Sequence, residues 1–400
     1  MGHSSAPVFL LALTDDARSG TAAGDATSAA TIREATLEDA VEVSALLSRL
    51  GLQFPSDPLE IERYWKWLWA ENPALDDPSR RPPVGWILEY QGSAVGFFGN
   101  IAMRYRFGDE TLLAAVASSW GVERRFRSHT GELAKHYFGQ DAADILLATT
   151  ASRSVGRIFS RGGAVPMPLP DYRDVLYWVL EPRGFLRAAL RRTGLPSALA
   201  IPAVLAGAPA VKLFLRLQGG LPHARRHQTA EVIPLDTVGA EFDDLWSRKS
   251  SDGRLYAYRN ARELRWHLKL HEERGKLTLF ASRRGGLLAG YLVLVREETP
   301  GIGLTRAKIV DLFVADDDPA IIEELMSAAA NEARVRHCHV LEAVGFPAMI
   351  RTQLRKLKPF TRRFPDFPMH FKARAPAVHA ALQRTVSWYP TLYDGDSSLY

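Results

Sequence analysis

The run LLAAVASSWGVERRFRSHTGELAKHYF, residues 112–138, carries the reading of the fold. Leu112 to Val122 is an apolar strand, Arg124 to Gly131 is a basic turn, and Glu132 to Phe138 begins a helix. A strand that empties into a helix start leaves the first helical amides without intrahelical acceptors, and the helix dipole adds positive character there. With Arg124, Arg127 and His129 alongside, that junction is a ready pocket for an anion.

Upstream, Ile32 sits in a short strand, and Thr36 with Asp39 three residues on reads as the cap of a helix over Val41, Ala45 and Leu46. A second helix carries Trp65, Trp67 and Trp69 and stops at Asn72-Pro73. Gly85 to Tyr90, the turn Gln91-Gly92 and Ala94 to Asn100 form a hairpin. Downstream come a buried strand, Asp144 to Thr150, a helix from Ser154 to Arg161 closing on Gly162-Gly163, and a strand from Asp174 to Leu180. The second half repeats the series. A helix with Trp266 precedes the hairpin Leu277 to Val295, then strand Lys308 to Val314, helix Ala320 to Val335, strand Val340 to Gly345 and helix Pro347 to Leu357.

Four hundred residues, 46% hydrophobic and 24% charged, fit two globular domains and exclude fibrous or largely disordered chains. One cysteine, Cys338, cannot close an internal disulfide or build a cysteine-based metal centre, which suits a reducing, cytoplasmic setting. Basic residues concentrate between Arg183 and Arg226, where eight stand without one acid, so the rest of a chain of net charge +5 is net acidic. No DNA-binding surface follows from that distribution, and that one segment faces phosphate, an anionic membrane or water. Ser197 to Leu215 is apolar but broken by Pro202, Pro209 and Lys212; it is expected to pack on the body or lie on a membrane surface rather than span.

In the order of these elements the chain resembles the GCN5-related N-acetyltransferase (GNAT) superfamily in a tandem two-domain form. The strings that carry the resemblance are Ile32-Arg33-Glu34-Ala35, Trp67 to Asn72-Pro73, Gly92-Ser93-Ala94-Val95-Gly96, Val122-Glu123-Arg124-Arg125-Phe126-Arg127, and Arg157-Ile158-Phe159-Ser160-Arg161-Gly162-Gly163. The resemblance implies an α/β chain of two mixed-sheet domains joined by a Pro-kinked basic helical linker. Its parts are a disordered segment 1–30, an acyl-CoA-binding domain 31–182, the linker 183–228, a degenerate domain 229–376 and a tail 377–400. It also implies an N-acyltransferase that takes acetyl-CoA or another acyl-CoA as co-substrate and moves the acyl group to a small-molecule amine held between the domains. Val122, Arg124, Arg127, Ser128, His129, Thr130 and Gly131 are then the residues that hold the diphosphate, although Thr130 and Glu132 stand where the family's R/Q-x-x-G-x-G/A loop has small residues. Phe159 occupies the place of the family's tyrosine acid, leaving Glu123 as the candidate base and Ser160 as a weaker candidate for proton transfer. In the second copy, Asp316, Asp317 and Asp318 take the place of the anion loop and would repel a diphosphate.

Two rivals stand beside this reading: an aminoacyl transferase of the peptidoglycan cross-bridge type, which would use the basic linker on tRNA, and a non-catalytic binding protein. No tRNA partner is expected under the first reading. His267 and His271, four apart on a helix, have no third ligand at motif spacing and read as surface histidines, and no metal is expected. Trp65 and Trp69 share a core face, while Trp67 is free to line a groove. Arg351, Arg355, Lys356, Lys358, Arg362 and Arg363 read as a solvated basic face.

Overall fold

The computed structural model describes residues 29–194, 197–218, 221, 230–364 and 369–399. The segment expected to be disordered lies almost wholly outside them, as do Arg225 and Arg226. The first half runs β1 (Thr31–Glu34), α1 (Ala40–Arg49), α2 (Pro58–Trp65), β2 (Gly85–Tyr90), β3 (Ser93–Phe107), β4 (Glu110–Val122), α3 (Thr130–Gly139), β5 (Ile145–Ala148), α4 (Arg153–Arg161), β6 (Val165–Pro166) and β7 (Asp174–Val179). Helices α5 (Pro182–Arg192) and α6 (Ser197–Gln218) make the connection. The second half runs β8 (Glu231–Ile233), α7 (Ala240–Lys249), β9 (Leu255–Ala257), α8 (Ala261–Glu273), β10 (Leu277–Arg284), β11 (Leu287–Thr299), β12 (Leu304–Val314), α9 (Pro319–Val335), β13 (Val340–Ala343), α10 (Ala348–Lys356), β14 (Phe360–Arg363), β15 (His370–Ala373) and α11 (Pro376–Leu382).

Local chemistry explains the element ends. Asp39 accepts from the Thr36 amide (2.8 Å) to form the expected capping box. Gln91 and Gly92 both adopt positive φ (51° and 74°), the backbone a two-residue hairpin turn demands. Helix α4 ends on Gly162, where a Cβ would overlap the Phe138 ring.

Two mixed sheets result, ordered β1-β2-β3-β4-β5-β15-β6, with β9 beside β3, and β14-β7-β13-β12-β11-β10-β8. They correct the sequence reading at two strands. Asp174–Val179, assigned to the first domain, pairs antiparallel with β13 and β14 in the second sheet. In return β15, from the second half, pairs with β5 and β6 in the first. The first half therefore lends one strand, β7, to the second sheet, the second half lends two, β9 and β15, to the first, and no single cut at residue 182 separates the sheets. The repeat meets itself about a pseudo-two-fold: Trp67 and Trp266 stack at 5.6 Å, and each indole N–H donates to the other's main-chain carbonyl (3.0 and 2.9 Å). Trp67, expected to be free for a groove, is thus buried in the interface of the two copies.

The C-terminal stretch is not a tail. After α11, Trp388, Tyr389, Tyr393, Asp394, Asp396, Ser398 and Leu399 are all buried, forming a strap that threads between the sheets. Of the basic cluster, Arg355, Lys356, Lys358 and Arg363 are exposed as expected, whereas Arg351 is buried on the carbonyls of Gly345 (2.9 Å) and Asp174 (3.1 Å) and Arg362 pairs with Glu342. Helix α6 keeps both prolines inside it, and among the described residues no helix is long and apolar enough to cross a membrane.

Candidate functional site

Strands β4 and β5 run parallel and pair only over Ala114–Val116 with Ile145–Leu147, after which they part. A bulge in β4 accompanies the parting. Opposite β3, Gly99 faces Ser118 and Phe97 faces Gly121, so β4 carries one extra residue, and Ser119 takes a φ of 51°. The extra residue switches the alternation of the strand. Ala115, Ala117, Trp120 and Val122 pack toward α3 and α4, whereas Leu112, Ala114 and Val116 pack on the opposite face, into the larger core. At the crotch of this fork the Tyr137 hydroxyl lies 2.7 Å from the Ala115 carbonyl and 3.0 Å from that of Leu147.

The helical side of the fork is aromatic. Phe98 stacks on Trp120 (4.3 Å) and Tyr137 (4.7 Å), and Phe159 closes the group. Trp120 is fully buried, and its indole N–H has no acceptor among the described residues. A buried donor without a partner costs about 1–3 kcal/mol, so an acceptor brought by a ligand would be rewarded there.

The opposite side of the fork receives the strap. Asp396 is buried, accepts from Thr149 (2.7 Å), and lies among the hydroxyls of Ser118 and Thr150. Burial pushes its carboxyl up to about 6, although the hydroxyl donors hold it back. Two anchors fix the strap. His267 and His271, read as surface histidines, are instead buried and hold Ser398, His267 Nε2 on its hydroxyl (2.7 Å) and His271 Nε2 on its carbonyl (2.8 Å). Desolvation drives His267 far below its ordinary range and His271 down to about 4. The second anchor is Arg259, wholly buried against Asp311 (2.9 Å), Asp394 (2.8 Å) and the Thr391 hydroxyl (3.0 Å). Tyr172 and the strap's Pro390 and Thr391 pack around Gly345, and Tyr172 lines a cleft of about 280 Å³ with Met167, Arg173, Arg363 and Met369. A larger cleft, about 540 Å³, lies by Trp86, Lys135 and Gln140 at the far end of α3.

The basic turn differs from the expected open loop. Arg124–His129 is a 3-10 turn that runs straight into α3, and both the amide and the hydroxyl of Thr130 donate to the Arg127 carbonyl. The helical path thus starts at Arg124 rather than Gly131, and the amides of Arg124 and Arg125 are the ones without a main-chain acceptor among the described residues. Val122 is buried, Arg124, Ser128 and Gly131 are not its equals in position: nothing would crowd a Cβ on Gly131, and Arg124 points outward. His129 is drawn onto Glu132 (2.8 Å). Glu123, the candidate base, is held by Arg49 (3.5 Å) and Arg125 (3.8 Å), while Ser160 sits on the exposed face of α4, away from the fork side of Phe159. Asp396 is the group that sequence reasoning missed. It lies 274 residues beyond Val122, within a stretch whose only signal was an unusual density of Trp and Tyr for a tail.

The second sheet has the matching fork, and the strap seals it. Strand β12 pairs with β13 only from Arg306 to Ile309; beyond it, Tyr393 N–H donates to the Val310 carbonyl (3.1 Å) and the Tyr389 hydroxyl to that of Leu312 (2.7 Å). The acids at its mouth are spent structurally: Asp317 pairs with Lys249 and Arg254, and Asp318 caps α9 at Ala320 (2.8 Å).

No protein-family model matches the sequence, and a search of the curated proteins finds no match. Solved structures do share the fold. A GCN5-related N-acetyltransferase from Anabaena variabilis ATCC 29413 matches with a TM-score of 0.51 at 11% identity, over 86% of this chain and 72% of its own. A conserved protein of Enterococcus faecalis V583 described as a probable N-acyltransferase matches at 0.55 and 8%, over 86% and 72%. Saccharomyces cerevisiae N-myristoyltransferase, solved with bound myristoyl-CoA, matches at 0.51 and 12%, over 86% and 80%. The chain has a GNAT-like fold.

Proposed function

We propose, from this GNAT-like fold, that the chain transfers an acyl group from coenzyme A to an amine, with the donor entering the first fork from the side of α3 and α4 and the amine meeting it from the side of Asp396. The observation that carries this reading is the fork itself: two parallel strands that part around a bulge, with a buried carboxyl at the opening and the equivalent opening in the second sheet sealed. Neighbours of the same fold are acyltransferases, and one was solved with an acyl-CoA.

Each step of the chemistry has a residue available. The amine nitrogen attacks the thioester carbonyl carbon, the C–S bond breaks, the thiolate departs with coenzyme A, and the nitrogen's proton goes to a base. Asp396 serves as that base. A carboxyl near 6 is ionised at neutral pH yet basic enough to accept the proton as attack proceeds. The Trp120 N–H, which has no acceptor among the described residues, serves to polarise the thioester oxygen. Arg124 and Arg127, with the amides of Arg124 and Arg125 that lack a main-chain acceptor among the described residues, hold the diphosphate at the mouth. The thiolate leaves without a dedicated acid, which is compatible with Phe159 at the tyrosine position.

A second reading, a binding protein without catalysis, is favoured by one observation: Phe98, Trp120, Tyr137 and Phe159 fill the donor side of the fork and must move apart to admit the acyl-pantetheine arm. Isothermal calorimetry and thermal shift with acetyl-CoA and longer acyl-CoAs, on the wild-type chain and Arg127→Ala, test the proposal. Binding that weakens in the variant supports it. The absence of both heat and shift at every chain length removes it, and binding without turnover of any amine leaves the second reading.

A further inference from the structure

Helix α6 is apolar on its exposed face as well as its buried one. The faces of a surface helix are usually sorted with apolar residues toward the body. Here Val204 and Ala208 face inward, whereas Pro202, Leu205, Ala206, Pro209, Ala210 and Leu213 fall at three- and four-residue spacing along one exposed ridge. Leu205 and Leu213 are 61% and 58% exposed, and the ridge carries no polar side chain except Lys212 at its border. Contiguous apolar surface of this kind marks an interaction site.

Charge names the partner. Alongside, α5 packs on α6 through Leu186 against Gly207 and presents Arg183, Arg187, Arg191 and Arg192 to solvent. Among the described residues none of these four, nor Lys212, has an acidic partner, while the arginines elsewhere on the surface are mostly ion-paired. The hairpin is also fixed in place. Phe185 meets Tyr177 (6.3 Å), Tyr177 stacks on Phe360 (5.5 Å), and Phe360 meets Phe214 (6.4 Å), so an aromatic ladder fastens it to the outer edge of the second sheet. A rigid, neutral, apolar ridge flanked by unpaired arginines complements an anionic lipid bilayer, which offers hydrocarbon below a layer of phosphate.

We propose that the α5–α6 hairpin docks this protein on anionic bilayers by seating the Leu205–Leu213 ridge among the acyl chains and the α5 arginines among the headgroups. This surface is separate from the fork and stands whether or not the acyl-transfer reading holds.

Flotation of the full chain with vesicles of phosphatidylcholine alone, and of phosphatidylcholine and phosphatidylglycerol in equal parts, tests it. The expected result is partition onto the mixed vesicles at least about tenfold above the neutral ones, weakened by salt as exposed charge interactions are. Leu205→Asp with Leu213→Asp, both solvent-facing, should abolish it at unchanged Tm. Arg187→Glu with Arg191→Glu should remove the preference for anionic lipid. Failure of the wild-type chain to float with mixed vesicles overturns the proposal. So does flotation that both double variants retain, or a dimer in light scattering that the leucine variant dissociates while lipid binding is absent.

Discussion

Replacing Asp396 by asparagine should separate activity from stability in opposite directions. The carboxyl stands at about 6 in the folded chain against 3.8 in the unfolded one, so between those values the folded state holds a proton that the unfolded state releases. Stability contributed by the neutral carboxyl is fully present below about pH 4 and is lost as pH rises through 6. That difference corresponds to about 3 kcal/mol at neutral pH. The amide of D396N keeps the shape and a Thr149 contact but never ionises, so the variant should match the wild type at pH 4 and exceed it at pH 8. At about 2.1 cal/mol/K per residue, unfolding of this chain carries an entropy near 0.8 kcal/mol/K, and the gain reads as roughly 3–4 °C in Tm. Loss of a general base should at the same time lower turnover by about 10²–10⁴. Scanning calorimetry across pH 4–8, with a thiol-release assay under acyl-CoA and amine, reads both. Glu123→Gln is the control, because Glu123 is occupied by Arg49 and Arg125. The reasoning is refuted if D396N keeps its turnover, if E123Q loses it instead, or if D396N melts lower than the wild type at pH 8.

The strap's anchors make two further predictions. Arg259→Met strands Asp311 and Asp394 as neighbouring buried carboxylates and should destabilise by about 3–5 kcal/mol, and adding Asp311→Asn and Asp394→Asn should recover part of that loss in urea unfolding. His271, lowered from 6.5 to about 4, binds fewer protons folded than unfolded across that range, so its contribution falls as pH falls, by about 3 kcal/mol between pH 7 and pH 4. His271→Gln should flatten the acid limb of the Tm profile, and an unchanged limb would show that the strap is not held there.

Much of the architecture was legible in the sequence because it is local. The Thr36 and Asp39 cap, the Gln91-Gly92 turn, the glycine stop after α4 and the duplicated order of elements all depend on residues within a few positions of one another. The Trp67 and Trp266 correspondence was visible as spacing, but that the two indoles exchange hydrogen bonds was not, since symmetry appears only when the copies dock. Which sheet β7 and β15 join was also hidden. An apolar alternation marks a strand and its buried face, yet its partner is chosen by whichever open edge the rest of the chain leaves beside it. The fork shows the same division. Its strands and its basic turn could be read from residues 112–150, whereas the carboxyl that completes it comes from a strap at the other end of the chain. Asp396 acquires its unusual basicity only from burial among Ser118, Thr149 and Thr150, and desolvation is a property of the packed molecule that no residue carries by itself.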